Sequence, residues 1–145
     1  MIALMQRVSE ASVSVDNNVV GEIDQGLLVL LAIEPEDTKA KAERLAERVA
    51  GYRIFADENE KMNFNVKQIG GEILVVSQFT LAANTTKGMR PSFTSAAPAE
   101  LSEALYQYFC TQLRSLGFRV PTGVFGANMQ VRLLNDGPVT INLQG

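Results

Sequence analysis

The stretch "LLNDGPVTINLQ" (residues 133–144) combines two patterns that conflict. Around its centre, odd-numbered positions are apolar, as in a strand with one buried face. These positions are Met129, Val131, Leu133, Val139, Ile141 and Leu143. Gly137 and Pro138 interrupt the pattern, and a proline cannot donate a hydrogen bond to a sheet. One interpretation is a hairpin with a type I′ turn at Asp136 and Gly137 and a trans peptide, since only about 5–6% of X–Pro bonds are cis. The physical argument leaves open why a glycine–proline pair stands there.

The N-terminal part of the chain has the pattern of β-strands. Apolar residues alternate through residues 2–15, a continuous apolar run follows at 27–33, and the turn sequences DNN (16–18) and DQG (24–26) divide residues 2–33 into three segments. The pattern predicts a three-strand antiparallel meander. The apolar positions change from even to odd numbers at Ser9 and Glu10, which predicts a β-bulge. The even-numbered apolar positions are Ile2, Leu4 and Val8.

Two later segments have the apolar stripe of an amphipathic helix. One covers residues 38–50, and the other begins at Pro98 and ends at Gly117. Shorter apolar runs, which predict strands, lie at residues 52–55 and 72–81. The sequence therefore predicts one α+β domain over residues 1–145, with two main helices packed on an antiparallel sheet.

The composition excludes several kinds of function. The 145 residues have a net charge of −3, which predicts no broad surface for nucleic acid or acidic membranes. No apolar run approaches the roughly 20 residues of a membrane span. A single cysteine, Cys110, permits no internal disulfide, so we expect a cytoplasmic protein. The chain has no histidine, which excludes Ser-His-Asp and Cys-His catalysis and the common zinc sites.

Three segments contain residue types that suit a binding site. They centre on Ser77, Gln78 and Thr80 at the end of a buried strand, on Lys87 and Arg90 in a loop, and on Phe125 and Met129 beside two glycines. Hydroxyls and backbone N–H groups can face a cleft, cations suit phosphate, and aromatic side chains stack on bases. On composition alone, each has a more ordinary interpretation: a satisfied strand end, a solvated loop and core packing. None of the three signals is specific by itself.

Three motifs taken together are specific: SQFTL (77–81), GMRPSF (88–93) and NDGPVT (135–140). In this order and spacing they resemble the D-aminoacyl-tRNA deacylase family of the bacterial type. The resemblance covers essentially the whole chain. It implies a barrel-like β-structure, a cytoplasmic homodimer, and no metal or other cofactor. It further implies hydrolysis of the ester that joins a D-amino acid, or glycine on alanine tRNA, to the 3′ acceptor end of tRNA.

The resemblance also implies a role for the glycine–proline pair. In the family this peptide is cis, and its loop enters the active site of the other subunit. The carbonyl groups of Gly137 and Pro138 would face the α-carbon and amino group of the substrate. They would leave room for hydrogen there, but none for the side chain of an L-amino acid. Arg7 would hold the loop in its orientation.

The remaining site residues follow from the same resemblance. The backbone N–H groups of Phe79 and Thr80 would stabilise the oxyanion, and a ribose hydroxyl of the terminal adenosine would position or activate water. Such catalysis needs no histidine because an aminoacyl ester is already activated. The other substrate-binding residues would be Ser77, Gln78, Phe125 and Met129, of which the last two would hold the adenine.

Two alternatives remain open from the sequence. In the first, Thr80 is a covalent nucleophile of an esterase, although no histidine is present to activate it. In the second, the protein is a binding module for D-amino acids or nucleotides and does not catalyse a reaction. Turnover of D-aminoacyl-tRNA separates the binding module from both enzymes.

Overall fold

The computed structural model describes all residues from 1 to 145. The seven strands are β1 (Ile2–Val15), β2 (Asn18–Ile23), β3 (Gly26–Ala32), β4 (Phe55–Ala56), β5 (Met62–Phe64), β6 (Glu72–Ser77) and β7 (Gln130–Gln144). The two α-helices are α1 (Lys39–Gly51) and α2 (Ala99–Ser115), and a 3-10 turn covers Phe79–Ala82. No helix combines the length and the apolar character needed to span a bilayer.

Strand β1 lies at the centre of the main sheet, so the predicted meander is wrong. Its first half pairs with β3, from Ile2 opposite Ala32 to Val8 opposite Gly26. Its second half pairs with β2 along the same edge, and β7 pairs with the opposite edge. At 14 residues, β1 is long enough to pair with two shorter strands placed end to end. The DQG sequence therefore interrupts one long strand instead of reversing the chain.

The main sheet is also not purely antiparallel, as the sequence analysis had expected. Strand β6 pairs with β3 in parallel, from Gly26 opposite Glu72 to Leu31 opposite Ser77. A parallel pair needs a crossover connection, and residues 33–71 provide it with α1 and the small sheet of β4 and β5. The predicted strand at residues 52–55 is reduced to Phe55 within β4.

The first half of β1 buries the face opposite to the predicted one. Ala3 and Met5 are fully buried, whereas Ile2 and Leu4 are half-buried. Both faces of this strand are covered, so alternation of apolar residues alone does not identify the inner face. The predicted irregularity is present, because the register with β7 shifts between Gln6 and Glu10.

Two hydrophobic clusters stabilise the fold. The larger one lies between the sheet and the two helices, and its largest buried side chains include Met5, Leu45, Phe109 and Leu113. The smaller one packs on the other face of the curled sheet and consists of Val8, Ala11, Val13, Ile23, Leu28, Leu74 and Val76. This arrangement confirms the predicted α+β class with two helices packed on a curled sheet.

Residues 130–144 form one strand, so the hairpin interpretation is wrong. Gln130 lies opposite Ser14 and Thr140 lies opposite Gln6, which means that both halves of β7 run along the same partner in the same direction. Between them the register shifts, and the segment around Gly137 and Pro138 bulges out of the ladder. The Gly137–Pro138 peptide is cis, whereas the base rate had favoured trans. Because β1 pairs with the residues before and after Gly137 and Pro138, the chain does not reverse at this point, although the two residues alone would permit a turn.

Candidate active site

A cavity of about 320 Å³ opens where β6 ends and α2 begins. Its walls are mostly apolar, and they come from β3, the residues after β6, the start of α2 and the loop that precedes β7. The lining residues are Leu31, Ile33, Ser77, Phe79, Ala97, Ala99, Ser102, Tyr106, Phe125 and Gly126. Natural ligand pockets span about 300–1,000 Å³, so this cavity fits a small ligand or one end of a larger one.

Two backbone donors lie unbonded at the edge of this cavity. The backbone N–H of Gln78 donates to the Leu31 carbonyl oxygen at 2.8 Å, which extends the pairing of β6 with β3 by one residue. The chain then turns into the 3-10 turn, whose first N–H groups have no preceding carbonyl to bind. The N–H groups of Phe79 and Thr80 accordingly make no hydrogen bond within the protein. They are available to an oxygen atom of a ligand.

The cavity contains no ionised side chain. Tyr106 is its one titratable lining residue, and burial raises the pKa of this phenol from 10.0 to about 12. Its hydroxyl donates to the Val75 carbonyl oxygen at 3.3 Å, so it stays neutral and bonded near neutral pH. The cavity can therefore orient a ligand and stabilise an oxyanion, but its walls supply no general base.

The Thr80 hydroxyl is bonded to a neighbouring side chain. Gln78 donates from Nε2 to Thr80 Oγ1, and neither side chain is part of the cavity wall. An amide donor does not remove a proton from a hydroxyl, so this contact gives Thr80 no activation as a nucleophile. Of the four predicted residues 77–80, Ser77 and Phe79 line the cavity.

Aromatic rings form two sides of the cavity. Phe125 lies with its ring centroid 5.9 Å from that of Tyr106, and Phe79 packs edge-on against Phe93 at 5.0 Å. Phe125, which was predicted to hold a base, is thus in a position to contact one. Met129 is not among the residues that line this cavity; it packs against the smaller hydrophobic cluster, and its sulfur lies over Gly123.

Hydrogen bonds from the side chains of Arg7 and Asn135 hold the bulge in β7 in place. Arg7 donates from Nε to the Asp136 carbonyl oxygen at 3.1 Å and from Nη1 to the Ile54 carbonyl oxygen at 2.8 Å. Asn135 accepts from the backbone N–H of Val139 at 3.2 Å through Oδ1, and its Nδ2 donates to the Thr140 hydroxyl at 3.1 Å. We call residues 135–140 the β7 loop.

Comparisons with known proteins agree over the whole chain. Residues 4–144 match the family model described as D-Tyr-tRNA(Tyr) deacylase. A protein of Colwellia psychrerythraea named D-aminoacyl-tRNA deacylase is 68% identical over 143 residues, 99% of each chain. A protein of Yersinia pestis with the same name is 61% identical over 144 residues, again 99% of each chain. The chain belongs to the D-aminoacyl-tRNA deacylase family.

Solved structures share the fold of this chain. A chain titled "c-Myc DNA Unwinding Element Binding Protein" is 42% identical, with a TM-score of 0.94 over 100% of this chain and 99% of that one. A structure titled as a probable eukaryotic D-amino acid tRNA deacylase is 18% identical and has a TM-score of 0.82 over 98% of both chains, which shows the same fold. The predicted family, and with it the prediction of a hydrolase, is confirmed.

Sequence reasoning missed part of this deacylase cavity. Ser102 and Tyr106 line it from α2, and Leu31 and Ile33 line it from the end of β3. A signal for the helical pair was present, because two polar residues four positions apart lie on an otherwise apolar stripe. No comparable signal marks Leu31 or Ile33, which look like ordinary strand residues.

Within one deacylase chain, the β7 loop and the cavity are separate. Gly137 and Pro138 are exposed and are not among the residues that line the cavity. A wider depression of about 520 Å³ lies elsewhere, lined in part by Glu10, Glu22, Asp24, Glu72 and Arg119. Arg119 pairs there with Glu72, and the surplus of carboxylates disfavours an anionic ligand.

Proposed function

We propose that this protein hydrolyses the ester of D-aminoacyl-tRNA, and of glycine carried by alanine tRNA, without a side-chain nucleophile. The unbonded N–H groups of Phe79 and Thr80, beside a cavity that holds no ionised group, support this mechanism most directly. An aminoacyl ester is reactive enough that positioning and oxyanion stabilisation suffice. A neighbouring ribose hydroxyl of the substrate then positions or activates the attacking water.

The cavity suits the terminal adenosine of the tRNA. Its volume of about 320 Å³ and its apolar walls fit an uncharged nucleoside, with Phe125 as the ring on which the adenine stacks. Ser77 completes the pocket at the end of β6, whereas the Gln78 side chain lies outside its wall and is bonded to Thr80. With the nucleoside inside, the aminoacyl group lies at the cavity edge, beside the N–H groups of Phe79 and Thr80.

We propose further that the β7 loop of one subunit closes the active site of the other in a cytoplasmic homodimer. The loop is exposed and far too well fixed by Arg7 and Asn135 to be a flexible connection. Two apolar side chains of the same strand, Val131 and Leu134, are exposed beside it and suit burial against a second copy. In this position the backbone of Gly137 and Pro138 excludes the side chain of an L-amino acid and accepts D-amino acids and glycine.

The first test compares hydrolysis of D-tyrosyl-tRNA and L-tyrosyl-tRNA by the purified protein, followed by trapping with acid. We expect turnover of the D-ester, refusal of the L-ester, hydrolysis of glycyl-tRNA(Ala), and no aminoacyl group bound to protein. An ester trapped on Thr80 would establish the nucleophilic alternative. Binding of D-tyrosyl-tRNA without turnover would establish a binding module.

The second test examines whether the β7 loop acts across subunits. A heterodimer is purified through two different tags, one on a Phe79→Pro chain and one on a Gly137→Ala chain. Its intact cavity belongs to the Gly137→Ala chain, and only the partner can provide it with an intact loop. We expect about half the wild-type D-activity with wild-type refusal of the L-ester. If the heterodimer hydrolyses the L-ester as freely as the Gly137→Ala homodimer does, the loop acts within its own chain.

A further inference from the structure

Charge is distributed unevenly along this chain. Residues 73–135, which provide most of the cavity wall, contain five cations and only two acids, Glu100 and Glu103, for a net charge of +3. The rest of the protein has a net charge of −6, so the total of −3 conceals the difference. The five cations are Lys87, Arg90, Arg114, Arg119 and Arg132. Arg119 and Arg132 line the separate acidic depression, so they do not serve the cavity.

Two of these cations, Lys87 and Arg90, are close in sequence, exposed and unpaired. Arg119 is paired with Glu72, and Arg114 donates to the Val120 carbonyl oxygen at 2.8 Å. Lys87 and Arg90, in contrast, make no ion pair or side-chain hydrogen bond, and no acid occurs between residues 73 and 99. Their charges are therefore not neutralised by a sequence neighbour. We call residues 84–93 the basic loop.

The basic loop is fixed to the edge of the cavity. Asn84 and Ser92 close its base with two backbone hydrogen bonds of 2.8 and 3.0 Å. Phe93, its last residue, packs on the cavity residue Phe79 at 5.0 Å between ring centroids. Phe79 begins the 3-10 turn that contains the two free N–H groups. The loop that carries the two cations is therefore in contact with the segment that we expect to bind the ester oxygen.

The inside of the loop is ordered as well. Asn84 Oδ1 accepts from the backbone N–H of Thr86 at 3.0 Å and from its hydroxyl at 2.7 Å. Gly88 adopts a positive φ of 71°, which turns the chain between the two cations. Lys87 and Arg90 are thereby held on either side of one turn, which limits the conformational entropy that is lost when they bind.

We propose that Lys87 and Arg90 bind the phosphate backbone of the acceptor strand next to the terminal adenosine. This inference rests on the proposed function, because a nucleoside in the cavity brings the neighbouring phosphates to its edge. The neutral, apolar cavity then binds the uncharged nucleoside, while the basic loop binds the anionic backbone. Arginine can contact a phosphate through two N–H groups, and lysine adds a compact positive charge.

The test compares a substrate with phosphates and one without them. The double variant Lys87→Gln/Arg90→Gln is assayed on D-tyrosyl-tRNA and on the D-tyrosyl ester of adenosine, at 50 and 200 mM salt. The matched control, Arg44→Gln/Lys61→Gln, removes the same charge from two exposed cations that likewise form no ion pair and lie outside residues 73–135. Each lost phosphate contact lowers the slope of log affinity against log salt by about 0.7–0.9.

We expect the double variant to raise KM for D-tyrosyl-tRNA by about tenfold at 50 mM salt, with kcat unchanged. Its salt slope falls by about 1.4–1.8, and hydrolysis of the adenosine ester stays at the wild-type rate. An equal loss on the adenosine ester, or an equal loss in the control variant, would overturn the proposal. If wild type hydrolyses neither ester, the proposed function fails. The binding of deacylated tRNA to the same variants at both salt concentrations then still decides whether the basic loop contacts phosphate.

Discussion

The segment 77–80 and the β7 loop, to which we assign the oxyanion donors and the exclusion of L-amino acids, are built in opposite ways. The first borders a concave, apolar cavity, and two of its backbone N–H groups have no partner. The second projects into solvent, and the side chains of Arg7, Asn135 and Thr140 fix its backbone. A surface with free donors can receive a ligand, whereas a rigid projection can only fill space elsewhere. The difference is the physical basis for our proposal that each loop acts on a second copy of the chain.

The largest effect is expected when one of the two free backbone donors, the N–H of Phe79, is removed. Phe79→Pro deletes the N–H at the first position of the 3-10 turn, where a proline ring is tolerated, and Phe79→Ala removes only the side chain. We expect kcat of Phe79→Pro to be about 10²–10³-fold below that of Phe79→Ala, as for other oxyanion donors. Equal rates in two variants with equal melting temperatures would show that this N–H does not contact the reacting oxygen.

The next largest effect concerns the shape of the β7 loop. A Cβ at Gly137 would lie 2.8 Å from Val139 Cγ2 and 3.0 Å from Arg7 Nη2, at a φ of +129° that side chains rarely adopt. Displacement of the loop by about 1 Å in Gly137→Ala should reduce the ratio of D- to L-ester hydrolysis by about 10²-fold.

Gly70→Ala is the matched control for this change. Gly70 also has a positive φ, of +67°, but a Cβ there would meet no atom within 4 Å. We expect a modest loss of stability from Gly70→Ala and an unchanged D-to-L ratio. If both variants alter the ratio equally, general destabilisation explains the result and the loop does not discriminate.

A smaller effect on the D-to-L ratio is expected from Arg7, whose side chain holds the β7 loop. Arg7 binds two carbonyl oxygens, those of Asp136 and Ile54, through two different nitrogens. Lysine keeps the charge but cannot reproduce this fork, so Arg7→Lys should lower the D-to-L ratio by about tenfold. The melting temperature should change little, because only one exposed and one part-buried hydrogen bond are affected. A large loss of stability with an unchanged ratio would assign Arg7 a purely structural role.

The smallest effect on activity is expected from Tyr106, which lines the cavity from α2. Burial raises the pKa of Tyr106 from 10.0 to about 12 and that of the neighbouring Cys110 thiol from 9.0 to about 12. Both groups are more readily deprotonated in the unfolded chain. The free energy of unfolding is therefore independent of them below about pH 9 and falls as the pH rises towards 12.

Tyr106→Phe tests this assignment. It removes the hydrogen bond to Val75, which should cost about 0.5–1.5 kcal/mol at pH 7, and it should make the alkaline loss of stability shallower. The pH dependence of kcat below pH 9 should be unchanged, because Tyr106 is neutral throughout that range. A change in that profile would identify Tyr106 as a proton carrier, in contrast to our view of the cavity.

The sequence analysis succeeded where the deciding contacts join residues close in sequence, and it failed where they join distant ones. Helix α1 was predicted from its apolar stripe, and the structure adds a local cap, Thr38, which accepts from the Lys41 N–H at 3.3 Å. The meander failed because turn residues at 24–26 have the same chemistry whether the chain reverses or only bends. The cavity walls from β3 and α2 were missed because apolar lining residues do not differ in type from core residues.

By itself, the sequence determined the α+β class, the extent of both helices, the absence of histidine chemistry, and a resemblance to the right family through three motifs. The tertiary structure alone decided that β1 is central, that β7 passes Gly137 and Pro138 without reversing, and that Phe125 lines the cavity while Met129 does not. The physical reason is that periodicity and turn chemistry report interactions within a few residues. Strand pairing, by contrast, joins residues more than a hundred positions apart, such as Gln6 and Thr140, and no local pattern encodes which partner is chosen.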